Sequence, residues 1–171
     1  MRAALATITS LLVIGCSGQA TARPTPSSTT ATTAAATVGT DGCGVTAVMR
    51  GGVPAWLDEA GAHNNPTGLR YVIGHPALAA GFLFGDPLRV GHPENPANKI
   101  LWVVRTPRQG SQLVVDGHPL GATEPQVHLA QPANSSPGEI YPSIVDVPTA
   151  GCWQFDLRWA HSHAQVELNY I

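Results

Sequence analysis

Seven histidines and three cysteines carry most of the chemistry this chain could do. His161 and His163 stand at i and i+2 in the stretch "WAHSHAQ". On an extended backbone that spacing projects both rings to one side, where neutral imidazoles could share Cu(II) or Zn(II). A third ligand would have to come from elsewhere. His63, His118 and His128 are the candidates, and spacing alone brings none of them to the pair. Three histidines recur in one tripeptide: Gly74-His75-Pro76, Gly91-His92-Pro93 and Gly117-His118-Pro119. Glycine permits a positive φ and proline holds the preceding residue out of the helical region, so each is expected to be a turn. Their intervals of 17 and 26 residues are irregular and do not mark a structural repeat.

No G-x-S-x-G, H-E-x-x-H or G-x-x-x-x-G-K-[ST] pattern occurs. Ser143 has Asp146 near it in sequence and histidines elsewhere, an arrangement too common to define a triad. The chain therefore reads as non-catalytic, with no cofactor beyond a possible Cu or Zn at His161 and His163. Of four tryptophans, Trp102, Trp153 and Trp159 fall in the apolar phase of strand-like runs and read as core. Trp56 lies in a loop-rich stretch and is the candidate exposed aromatic for stacking on a ligand.

The bulk composition narrows the partners. Formal net charge is −2 and charged residues make up 12% of 171, with Lys99 the only lysine. That balance gives no grip on nucleic acid. The surface must be neutral and polar, and 18 Gly with 15 Pro, spread without a period, imply many turns joining short elements.

The first segment, "MRAALATITSLLVIGC", has a basic residue at Arg2 and then an apolar run to Ile14. That is signal-peptide length, too short to span a bilayer as a helix, which takes about 20 residues. Its end, Val13-Ile14-Gly15-Cys16, resembles the lipobox of bacterial lipoproteins. The resemblance implies cleavage before Cys16, acylation of its thiol, and a protein held on the extracytoplasmic side of the cell membrane. Two or three acyl chains, at about 0.8 kcal/mol per buried CH₂, hold a protein firmly where one holds it marginally. From 17 to 42 the chain is Thr, Ala, Ser and Pro with almost no large apolar residue, so it is expected to be a flexible tether. As a coil those 26 residues would span about 28 Å.

With Cys16 given to lipid, Cys43 and Cys152 remain, and they are expected to form a disulfide outside the cytoplasm. The loop it closes exceeds a hundred residues, worth about 4.7 kcal/mol on the chain-entropy account. This also withdraws both thiols from any copper site that needs a Cys ligand.

The elements that must position these residues are mostly strands. Apolar runs at 70–73, 81–84, 100–105, 112–115 and 126–130 are bounded by turn residues, and 140–147 carries Pro142, which marks an edge or kinked strand. Two runs alternate strictly: Trp153, Phe155, Leu157 and Trp159, then Val166, Leu168 and Tyr170. This predicts a hairpin with one buried face, turning at "AHSH". One short helix is expected in "VPAWLDEAGAH", opened by Pro54 and closed near Gly61. Without long amphipathic helices the sheets should be antiparallel, an immunoglobulin-like β-sandwich over 43–171 preceded by a signal peptide (1–15) and the lipidated Cys16 with its tether (16–42). The stretches "KILWVV", "LVVDGHPL" and "YPSIVDVPTAGCWQFDLRW" resemble a group of uncharacterised secreted or lipid-anchored bacterial domains. That resemblance also implies an immunoglobulin-like sandwich, and it implies no catalytic residues. The expected role is a non-catalytic binding or interaction module of the cell envelope; the alternative is a metal-binding envelope protein holding Cu or Zn on His161 and His163, and the third reading is a hydrolase without a recognisable motif.

Overall fold

Alternation and turn chemistry produce ten strands among the described residues, in two antiparallel sheets. A computed structural model describes residues 37–38 and 42–171. Cys16 and the expected signal peptide lie outside the described residues, as does most of the tether. The strands are β1 (Thr37–Val38), β2 (Met49–Arg50), β3 (Arg70–Ile73), β4 (Ala79–Leu83), β5 (Lys99–Val104), β6 (Leu113–Pro119), β7 (Val127–Gln131), β8 (Ile140–Ile144), β9 (Gly151–Trp159) and β10 (Ser162–Tyr170). One sheet runs β1-β2-β3-β4-β5-β8 and the other β10-β9-β6-β7. The chain makes β3, β4 and β5 as a meander, crosses for β6 and β7, returns for β8, and crosses again for the last hairpin. In immunoglobulin terms the second sheet has the G-F-C-C′ order, facing A-B-E in β4, β5 and β8. Thr37–Val38 falls in the stretch whose composition reads as tether, yet it pairs with β2 at the sheet's edge.

The β9–β10 hairpin follows its sequence pattern. Trp153, Phe155, Leu157, Val166 and Leu168 are buried, while Gln165 and Asn169 between them are exposed. The turn is tighter than the expected "AHSH": Ser162 already pairs with Trp159, leaving Ala160 and His161 at the bend, with Ala160 at φ 46°. These side chains meet Val72, Ile100, Trp102 and Tyr141 from the other sheet in one core. Packing is close enough to dictate two glycines. A Cβ on Gly81 would lie 2.6 Å from the Trp102 ring, and one on Gly117 2.5 Å from the Phe155 ring. The latter explains why Gly117-His118-Pro119 is not a turn. It is the end of β6, with glycine chosen for clearance and the whole tripeptide paired to β9.

The expected helix is short. Pro54 caps α1 (Ala55–Leu57), and Asp58–Ala62 continues it as a wide turn with Gly61 at φ 103°. It lies over the outer face of the six-stranded sheet and builds a second cluster, with Leu57, Tyr71, Ala80, Phe82 and Val103 buried. Tyr71 donates its hydroxyl to the Gly52 carbonyl at 2.6 Å, which ties this segment to β3. No helix among the described residues is long and apolar enough to cross a membrane.

The sheet edges are closed by named groups. The Val104–Glu139 and Val145–Asn98 hydrogen bonds fix the parity of the β5–β8 ladder. That parity aims the nitrogen of Pro142 at the free edge of β8, where a missing N–H blocks further strand pairing. The β10 edge is covered by loops: His75 bonds Gln165 in both directions, Thr46 Oγ1 accepts from Glu167 N, and Leu88 accepts from Ile171 N.

Candidate functional site

The outer face of the four-stranded sheet collects the chain's polar side chains, because every second residue of β6, β9 and β10 must point away from the core. Register then sets them in a row. His128 on β7 is opposite Asp116 on β6, Asp116 opposite Asp156 on β9, Asp156 opposite Gln165 on β10, and Gln165 opposite His75. Two carboxylates facing each other across strands would repel. Each is hydrogen-bonded. His128 Nδ1 donates to Asp116 Oδ1 at 2.5 Å, and the Arg158 guanidinium bonds the other oxygen. Gln165 Nε2 donates to Asp156 Oδ1 at 2.6 Å. Burial pushes the Asp116 carboxyl up, but hydrogen bonds from His128 and Arg158, with their charges, outweigh it and hold it below the usual carboxylate range. The row is hydrogen-bonded along its length and solvent-facing, suited to contact rather than proton transfer.

The sequence-predicted residues are dispersed. His161 sits at the hairpin bend and His163 on β10 opposite Arg158. Among the described residues no group of three or more His, Cys, Asp or Glu is placed to hold a metal ion. His118 and His128, both candidate third ligands, make other bonds: Nδ1 of His118 to the Pro119 carbonyl, and Nδ1 of His128 to Asp116. Trp56 is half-buried against the second cluster, with the Arg105 guanidinium 5.9 Å from its ring, so it is partly spent on packing rather than freely exposed. Ser143 is buried; its hydroxyl accepts from Trp102 Nε1 at 2.9 Å and donates to the Ile100 carbonyl. Asp146 instead accepts from Asn98 Nδ2. Ser143 and Asp146 are each committed to structural bonds.

Cys43 and Cys152 are joined, with Cα atoms 5.7 Å apart and a sequence separation of 109. Beside them lies a residue that no motif marks. Glu167 Oε2 accepts from Val45 N, Thr46 N and Thr46 Oγ1 at 2.8–2.9 Å, clamping the 43–46 turn onto β10. Only its place in the outward phase of β10 was visible in the sequence. A cleft of about 500 Å³ opens near this turn, bounded by Arg70, Asp86, Leu88, Leu168 and Ile171. Asp86 in its wall accepts from both Arg50, at 2.9 Å, and Arg70, so its charge is compensated as well.

No family model, curated protein or solved structure matches this chain.

Proposed function

We propose that the chain is a bacterial lipoprotein whose β-sandwich serves as a non-catalytic binding module on the extracytoplasmic side of the cell membrane. The observation that carries this reading is the Cys43–Cys152 disulfide. It supports an oxidising compartment and leaves Cys16, in Val13-Ile14-Gly15-Cys16, the sole cysteine outside the bond. A thiol so placed, after an apolar run and before a Thr/Ala/Ser/Pro stretch, has the setting of a lipid acceptor. The polar row on β6, β7, β9 and β10 favours recognition over reaction, because its carboxylates are already engaged in hydrogen bonds.

Metabolic labelling with palmitate in a bacterial host that processes lipoproteins tests the anchor. The full chain should take up label and partition with membranes, and the Cys16→Ala variant should do neither. Absence of label on the unaltered chain would sink the proposal.

A further inference from the structure

Strand directions divide the sandwich into two ends. Arg70, Leu83, Lys99, Pro119, Val127, Ile144, Gly151 and Tyr170 close their strands at one end, as the pairings of β3 through β10 require. The opposite end carries the loops at 74–78, 105–112 and 132–139 and the Ala160–His161 bend. The N-terminal side of the domain belongs to the first end. Thr37, the outer residue of β1, pairs with Arg50, whose chain neighbour Met49 pairs with Tyr71 in the direction of Ile73. Cys43 joins Cys152 at the start of β9, and Val45 is bonded to Glu167 near the finish of β10.

The large apolar side chains left in water are segregated in the same way. Among the described residues they are Val45 (73% exposed), Ile171 (54%), Ile144 (53%), Leu120 (41%) and Val90 (37%). All five are at the end where the chain leads in. Val45 is in the 43–46 turn, Leu120 N donates to the Cys152 carbonyl, Val90 N donates to the Ile171 carbonyl, and Ile144 ends β8. The loops of the opposite end expose none. Scattered single apolar residues need no explanation, but five gathered from both sheets at one end do. Asp86 at this end is paired with Arg50 and Arg70, and Glu167 and Asp146 are hydrogen-bonded by the 43–46 turn and Asn98, while Arg89, Glu94 and Glu124 are exposed and bring both signs of charge to its rim. Apolar side chains ringed by charges of both signs suit the headgroup and acyl boundary of a zwitterionic bilayer.

We infer that this end seats on the lipid surface, with Val45, Val90, Leu120, Ile144 and Ile171 dipping into the headgroup and acyl boundary. The inference rests on lipidation of Cys16. Only the residues between Cys16 and Thr37 separate the lipid from the domain, and a coil of 20 residues has a root-mean-square reach of about 25 Å. The anchor thus holds this end within touching distance of the membrane and leaves the 74–78, 105–112 and 132–139 loops facing outward.

Trp fluorescence of the full lipidated chain in vesicles of phosphatidylcholine, with and without bromine on the acyl chains, tests this. Leu120→Trp and Val45→Trp should each add emission that the brominated lipid quenches, and Ala77→Trp, at the opposite end, should add emission that it does not. Two seat positions are used so that one misfolded variant does not decide the matter. Flotation of the protein with the vesicles while neither seat position is quenched would overturn the seat and leave the anchor standing, as would equal quenching at Ala77→Trp. A protein that fails to float would overturn both readings.

Discussion

The six-stranded sheet is covered on both faces at its centre, whereas the four-stranded sheet is covered on one. The difference is written into the strands. β4 is buried at every position from Ala79 to Leu83, because Ala79 and Leu83 meet the other sheet while Ala80 and Phe82 meet the α1 segment. β9 alternates, burying Trp153, Phe155, Leu157 and Trp159 and turning Gln154, Asp156 and Arg158 outward. One sheet therefore forms a structural wall with a short helical cover, and the other is left with a polar outer face that a partner could meet. Truncating the shared core should harm both sheets at once. Trp102→Ala, which empties a fully buried site between them, should cost about 3–5 kcal/mol. Denaturant unfolding followed by near-UV dichroism and by tryptophan emission should show one coincident, weakened transition; separate transitions would mean that the sheets are not one cooperative unit.

The second cluster should be worth less. Leu57 is completely buried beneath the six-stranded sheet's cover, so Leu57→Ala should destabilise by about 2–5 kcal/mol, below the effect at Trp102. Amide exchange locates the damage. Protection should fall in β3 and β4 before it falls in β9 and β10. Uniform loss across both sheets would erase the distinction between a shared core and a private one. A smaller effect is expected where the N-terminal turn meets the four-stranded sheet. Glu167→Ala removes an acceptor from two backbone N–H groups and the Thr46 hydroxyl, at about 1–3 kcal/mol, with the disulfide intact. If Glu167→Gln restores most of the loss, hydrogen bonding matters more there than charge.

These contrasts also explain what the sequence disclosed. Strands were legible where apolar runs are bounded by turn residues or alternate: β3 lies where its residues predict, and the β9–β10 hairpin differs only in the tightness of its bend. Pro142 marked an edge strand correctly, because a residue without an N–H can sit only where no partner needs one. The cover over the six-stranded sheet was harder to read. The short helix was visible in Pro54 and Gly61, but a run such as "AAGFL" looks the same whether its second face meets a helix or another sheet. Thr37–Val38 pairs at a sheet edge although its neighbourhood has the composition of a coil, since two residues of backbone pairing leave no compositional trace. The disulfide followed from counting cysteines. The polar row did not follow from anything local. Asp116, His128 and Arg158 come from three strands, and their meeting depends on register, which a single sequence leaves unspecified.

The smallest expected effect is also the most specific to that row. Asp116 is held below its ordinary carboxylate value by His128 and Arg158 in spite of burial. A carboxyl whose affinity for protons is lower folded than unfolded stabilises the fold at every pH above its unfolded value, about 3.9. That contribution disappears as pH falls through the lower, folded value. The pair is solvent-facing, so Asp116→Asn should cost no more than about 1 kcal/mol at neutral pH. Part of that loss is returned, because removing the Asp116 charge also relieves its repulsion from Asp156 across the strands. The difference between the two proteins should therefore be small at pH 5 and should close below about pH 4 as Asp116 itself takes up a proton. Chemical denaturation at pH 7, 5 and 3 measures it. A gap that persists at pH 3 would show that shape or packing at β6, not the charge shared with His128 and Arg158, holds this face of the four-stranded sheet together.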